Sequence, residues 1–412
     1  MTVLLKGRAL TEARSALADL SARYLRLRPS ELSDVSLSDG LAGVALVHAA
    51  LHQAFPRAGH GDRAERLLER AVDRLGRDEV SPGLHLGLAG LGWTALHLLD
   101  PAEHGTYADL FAPIDAALEE WVAMSPSRDR FDVVYGLAGI GVYALERLPD
   151  PSAKRLLAAI VARLAATARP QAVGVAWRSD PGWIACDASV PRPENQDWGL
   201  GLAHGAAGVV ALLGRVVAAG VETSAARALL GDAVAWLLSH ELPRNDESCF
   251  SYFAVPPDVR RPPARAAWCN GDPGIAAALL VAANATGTPA WRSAAVRIGL
   301  RAAARSPAGA GVLDAGLCHG ASGVAHIFHR LFLSTRDERF ARASRRWFAR
   351  TLAMRTRGRG FAGFRALDPD RHHRLAWRSA PGFLTGGAGI ALALVAATTG
   401  VEPAWDRALL LS

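Results

Sequence analysis

Leu317-Cys318-His319-Gly320-Ala321-Ser322-Gly323, read beside Trp268-Cys269-Asn270-Gly271-Asp272-Pro273-Gly274, decides the fold. Both are copies of one short pattern, Gly-x-x-Gly opening an apolar run. The pattern also starts at Gly40, Gly87, Gly136, Gly205 and Gly386, which makes seven copies. Aligned on the first glycine, the preceding position reads Asp39, Leu86, Tyr135, His204, Asn270, His319 and Thr385. One place further back, the fifth and sixth copies carry cysteine, Cys269 and Cys318. A bland repeat thus acquires soft-ligand chemistry only in its later copies.

The runs after the glycines are apolar nearly all round: 44–51, 91–99, 140–145, 209–217, 275–283, 324–331 and 390–397. Between them lie segments with apolar residues at three- and four-residue steps and charge in the intervening places: 10–27, 62–77, 107–124, 152–167, 224–240, 289–305 and 336–352. That spacing predicts helices. A helix apolar all round is buried, and one with a polar face lies at the surface. Seven inner helices alternating with seven outer ones predict an all-α barrel within a second ring, one unit over 1–412 despite a length that otherwise suggests several domains. The glycines let the inner helices converge at one end, and the first-turn N–H groups are expected to make a partly positive rim there. Residues just before each inner helix then face a shared mouth.

Three intervals depart from helix. Residues 171–198, 250–268 and 358–384 hold prolines, glycines and aromatics, and predict long connections with short strands or hairpins that wall a groove. The first of them, 171–198, is a candidate small strand-containing insertion.

Composition narrows the function. The chain has 412 residues, half of them apolar, with a formal charge of +7 and a pI near 9.7, nearly all from arginine, since Lys6 and Lys154 are the only lysines. A basic chain suits an acidic peptide partner, but no nucleic-acid motif accompanies the charge. No apolar run is long enough to span a bilayer, and the first residues carry no export signal, so the expected location is the cytoplasm. Four cysteines are too few for a disulfide framework in a chain of this size. Cys186 and Cys249 match no repeat position and read as structural. His372 and His373 sit in a polar loop and read as solvent-facing.

Cys269, Cys318 and His319 offer two sulfurs and one nitrogen, a set that suits zinc and leaves a fourth position open. Free cysteine is most often a small buried hydrophobe. Here two cysteines in matching register, one beside histidine, outweigh that reading. His204 holds the equivalent place in the fourth copy and can exchange a proton near neutral pH. Asp132, four residues before Gly136, can orient His204 or act as a base. Arg265, four residues before Cys269, offers donors to a developing oxyanion.

These motifs together resemble the lanthionine synthetase C-like family, the cyclases that close thioether rings in lantibiotic-type peptides. The resemblance runs over essentially the whole chain, through Asp-Val-x-x-Gly at Asp132, Ala-His-Gly at Ala203, Trp-Cys-x-Gly at Trp268 and Cys-His-Gly at Cys318. It implies an α/α toroid of two concentric seven-helix rings. It implies one zinc per chain on Cys269, Cys318 and His319, with Asp132, His204 and Arg265 at the family's acid–base and oxyanion positions. It also implies a dehydrated precursor peptide as substrate and a lanthipeptide dehydratase as a candidate partner, the chain itself resembling a stand-alone cyclase. One departure is Asn270, where relatives often carry tyrosine or histidine. Two other functions stay in view: transfer of a small thiol such as glutathione to dehydroamino acids, and a non-catalytic peptide-binding scaffold.

Overall fold

A computed structural model of the chain describes residues 3–32, 34–75, 80–100, 102, 105–124, 130–179, 198–254, 262–369 and 374–412. Fourteen α-helices lie among them. In chain order, α1 is Gly7–Arg26, α2 Leu41–Ala54, α3 His60–Leu75, α4 Leu88–Leu98, α5 Ala108–Ala123, α6 Leu137–Arg147 and α7 Pro151–Thr167. Then follow α8 Ala206–Ala218, α9 Thr223–Ser239, α10 Asp272–Thr286, α11 Pro289–Ala304, α12 Ala321–Thr335, α13 Glu338–Ala353 and α14 Gly387–Thr398.

The even-numbered helices are the buried ones, as their composition demands. Every residue of α14 is buried, and α2 is buried from Leu41 through His48 without a break. The odd-numbered helices bury one stripe each, such as His60, Ala64, Leu67 and Ala71 on α3, or Phe111, Asp115, Leu118 and Val122 on α5. Steps of four, three and four place those side chains on one face of a helix.

The chain packs as two compact units. The first comprises Met1–Val80 and Val312–Trp405. In it α14 lies between α2 and α12, with α3, α1 and α13 covering α2, α14 and α12. The second comprises Ser81–Gly311 and Asp406–Ser412. In it the buried helices follow one another as α4, α6, α8 and α10, each covered by the odd-numbered helix that follows it.

The glycines do something more specific than permit crowding. Before each buried helix the chain doubles back so that a helix N–H meets a carbonyl seven residues upstream. Leu41 donates to Asp34 (3.0 Å), Leu88 to Ser81 (2.7 Å), Leu137 to Arg130 (2.9 Å), Ala206 to Gly199 (3.0 Å), Ala321 to Asp314 (2.9 Å) and Gly387 to Ala380 (2.9 Å). The loop carbonyls therefore occupy the first-turn donors, and none of these helices has a side-chain cap. This corrects the expected positive rim: donors already bonded to carbonyls are not available to a ligand. The doubling back also sets the second glycine against backbone. A Cβ at Gly323 would lie 1.7 Å from the Leu317 carbonyl oxygen, and one at Gly139 2.2 Å from that of Val133.

Neighbouring loops are bonded edge to edge within each unit. In the first, Phe383 donates to Ser38 (2.5 Å), and Leu317 and Cys318 both donate to Leu384 (2.9 and 2.7 Å). In the second, His85 donates to Val134 (3.3 Å), Val133 to Ala203 (3.0 Å) and Ala203 to Cys269 (3.1 Å). The loops thus follow the same order as the helices they precede, and each positions its neighbour.

The non-helical intervals contain the expected strands. Strands β1 (Arg169–Pro170) and β2 (Val175–Ala176) pair antiparallel, as do β3 (Ala366–Pro369) and β4 (Leu375–Arg378). Among the described residues, the interval from Phe250 holds single bridges, Gly199 to Phe253 and Ser251 to Pro263. Most of the 171–198 insertion, with Cys186, lies outside the described residues, as do His372 and His373. No helix among the described residues is long and apolar enough to cross a membrane.

Candidate metal and acid–base site

Every site residue read from the sequence lies on a loop that enters a buried helix. Cys269 precedes α10, Cys318 and His319 precede α12, His204 precedes α8 and Asp132 precedes α6. Their ligand-bearing atoms are placed by the backbone bonds described above, not by side-chain packing alone.

The Sγ atoms of Cys269 and Cys318 and one ring nitrogen of His319 all lie within 4.8 Å of one another. Both cysteines are half-buried. Zinc at about 2.3 Å from sulfur and about 2.0 Å from nitrogen in tetrahedral geometry needs donors roughly 3.5–3.8 Å apart. The set can therefore hold a metal ion after small side-chain adjustment. Beyond the ring of His319 sits buried Asp314, its Oδ2 3.8 Å from Nε2. That carboxylate is fixed by the N–H groups of Gly316 and Leu367, each at 3.0 Å. A carboxylate behind a ligating histidine is the usual means of setting its ring orientation.

Asp132 and His204 form a pair. Nδ1 of His204 is 3.1 Å from Oδ1 of Asp132, which is almost wholly buried. The same oxygen accepts the N–H groups of Val134 (2.8 Å) and Tyr135 (3.0 Å). The Tyr135 ring stacks on the imidazole at 5.7 Å between centroids. A carboxylate on Nδ1 fixes the tautomer that leaves Nε2 for proton exchange. Arg265 lies one turn of chain before Cys269, and its backbone N–H donates to the Tyr252 hydroxyl at 3.2 Å. Asn270 is buried, and its side chain fills the space beside Gly201, where a Cβ would lie 2.2 Å from Oδ1. A larger tyrosine or histidine there would meet that backbone.

Two residues were missed. His85 occupies the register of the two cysteines, two places before Gly87, and is fully buried with its ring edge-on to Trp268 at 5.6 Å. Burial, and then the nearby His204, pulls its pKa down to about 3, so it is neutral at physiological pH. The shared register was the signal that could have found it. Asp272 was also passed over, and no sequence signal marked it. Cys249, read as structural, is buried, and burial with the neighbouring Asp272 pushes its thiol up to about 12, as an inert cysteine requires.

Residues 31–410 match the family described as lanthionine synthetase C-like protein, and the chain belongs to that family. It is 24% identical over 318 residues to the nisin biosynthesis protein NisC of Lactococcus lactis subsp. lactis, covering 72% of this chain and 73% of that protein. The solved structure of a nisin cyclase superposes with a TM-score of 0.72 at 22% identity, covering 97% of this chain and 96% of the other. The fold class is accordingly the α/α toroid expected from the repeat.

Proposed function

We propose that this chain is a zinc-dependent cyclase, one catalytic domain over 1–412, that adds cysteine thiols to dehydroalanine or dehydrobutyrine in a dehydrated precursor peptide. The observation that carries this reading is the gathering of Cys269, Cys318 and His319 in a family whose relatives include a nisin cyclase. Cys269, Cys318 and His319 would hold the zinc, which when bound would supply Lewis acidity that lowers the pKa of a substrate thiol from about 8.5 in free cysteine.

The chain's own residues do the rest. A C–S bond forms at the β-carbon of the dehydro residue as the thiol proton passes to water, from which His204 is reprotonated, and the electron pair of the C=C bond moves to the α-carbon and its carbonyl oxygen. The Arg265 guanidinium donates to that oxygen as charge develops on it. His204 delivers a proton from Nε2 to the α-carbon, which restores the atom balance of the addition. Asp132 holds Nδ1 and stabilises the imidazolium before that transfer. The loop carbonyls that occupy the helix N–H groups keep those donors from competing with Arg265 for the oxyanion. A cytoplasmic location and a dehydratase partner accord with this substrate.

Ring closure leaves peptide mass unchanged but consumes a thiol, so alkylation followed by mass spectrometry counts it. With a peptide carrying one cysteine and one dehydroalanine, the wild type should abolish alkylation and Cys318→Ala should not. Equal thiol loss with both proteins would contradict the reading. Added glutathione separates the transferase alternative, because it would appear as a mass adduct.

A further inference from the structure

Asp272 is the first residue of α10, and its carboxylate is fully buried. Both oxygens are used on one stretch of backbone: Oδ2 accepts the N–H of Cys249 at 2.9 Å and Oδ1 that of Phe250 at 3.1 Å. Burial raises this carboxyl to about 6 despite those bonds and the fields of Arg305 and Arg301. A group that costs desolvation to keep needs a compensating role.

The stretch it holds, Cys249 to Ala254, reaches in two directions. Toward Arg265, Phe250 accepts the N–H of Ala264 at 3.2 Å, and the Tyr252 hydroxyl accepts that of Arg265 itself at 3.2 Å. Arg305, just past the end of α11, closes the same segment by donating to the Ala264 carbonyl at 2.7 Å. Toward His204, Tyr252 accepts the N–H of Leu200 at 3.2 Å, and Ala254 donates to Trp198 at 2.9 Å. Gly199, between those two, donates to the Ser179 hydroxyl at 3.1 Å, and that hydroxyl donates to the His204 carbonyl at 2.9 Å. One buried carboxylate therefore ties to α10 the segment that touches both the Arg265 loop and the His204 loop.

We propose that Asp272 is a positioning residue for ring closure, setting Arg265 and His204 in register through the Cys249–Ala254 segment. It rests on the cyclase reading given above. The Tyr252 hydroxyl is the branch of the same path that reaches Arg265 alone.

The test uses full-length, zinc-containing protein and the one-cysteine, one-dehydroalanine peptide, with kcat, KM, zinc content and thermal melt measured for each variant. Asp272→Asn keeps the shape but turns an amide N–H toward one of the two backbone donors. Its kcat should fall about 10- to 100-fold, as a displacement near 1 Å implies, with KM within about twofold and zinc retained. Tyr252→Phe should lose about 3- to 10-fold in kcat, the size of one hydrogen bond. The double variant should fall no further than Asp272→Asn alone, because both act on one path. Wild-type kcat in Asp272→Asn, or a kcat loss that tracks loss of zinc or of folded protein, would overturn the proposal while the cyclase reading stands. If Asp272→Asn does not fold, wild-type kcat in both Tyr252→Phe and Ser179→Ala, or a rise in KM instead of a fall in kcat, overturns it equally. A folded wild type that consumes no thiol would sink the cyclase reading itself.

Discussion

Oδ1 of Asp132 receives three donors at once: Nδ1 of His204 at 3.1 Å and the backbone N–H groups of Val134 and Tyr135 at 2.8 and 3.0 Å. Two fixed donors hold the carboxylate still, so the third, on the imidazole, is held in a single orientation. His204 is thus presented by the loop before the neighbouring helix.

Asp132→Asn tests that relationship. The amide keeps the shape but loses the charge that supports an imidazolium, and can present N–H to N–H. The expected loss in kcat is on the order of 10²- to 10⁴-fold, with zinc content unchanged. Steady-state kinetics beside elemental analysis checks it, and a variant that closes rings at the wild-type rate would remove Asp132 from the chemistry.

Gly323 and Gly231 make a matched pair. At Gly323 an added Cβ meets the Leu317 carbonyl, which is backbone and cannot rotate away. Gly323→Ala should destabilise by about 1–3 kcal/mol or more. At Gly231, within α9, nothing lies within 4 Å of an added Cβ. Gly231→Ala should therefore stabilise by about 0.5–1 kcal/mol through helix propensity. Urea midpoints of the two variants should move in opposite directions.

Acid should weaken the fold through its buried histidines. His48 and His60 face each other with Nδ1 atoms 2.7 Å apart, and Nε2 of His60 is 2.7 Å from the Ser21 hydroxyl. One proton fits between the two rings, and a second would set N–H against N–H. Burial first, then His60 and nearby arginines, brings His48 down to about 3, and burial with His52 brings His60 to about 4. His85 behaves likewise, at about 3. In the unfolded chain these rings titrate near 6.5, so below that pH the unfolded state binds more protons and stability falls as pH falls. Asp272, raised to about 6, has the opposite sign, since the folded state binds its proton below about 6 and the unfolded state only toward 3.8. Three histidines against one carboxyl leave about two protons taken up on unfolding near pH 5, each worth about 1.4 kcal/mol per pH unit. The urea midpoint should drop between pH 7 and pH 5, and an unchanged midpoint would contradict the burial of these rings.

Much of this was legible in the sequence because the repeat fixes it twice over. Seven glycine pairs located the buried helices, and the spacing of apolar residues located the covering ones; helix ends moved by only a few residues, as where 44–51 became Leu41–Ala54. The pairing of Asp132 with His204 was expected from adjacent copies of the repeat, though at different places in it, four before Gly136 and one before Gly205. What escaped depends on long-range backbone geometry. The seven-residue return of each loop onto its helix consumes N–H groups that the sequence alone left open. Asp272 acts on residues more than twenty places upstream, through two backbone donors that carry no side-chain signature. His85 was readable in principle, two places before its glycine like Cys269 and Cys318, but a histidine in a cysteine column does not declare itself.

The most direct measurement is the zinc content of the purified full-length protein beside that of Cys318→Ala, whose Sγ is one of the three donors gathered within 4.8 Å. About one zinc per chain in the wild type, lost in the variant while its helical signal persists, is the expected result. A wild type that takes up no zinc, or a variant that keeps it, would contradict a thiol-activating centre on Cys269, Cys318 and His319.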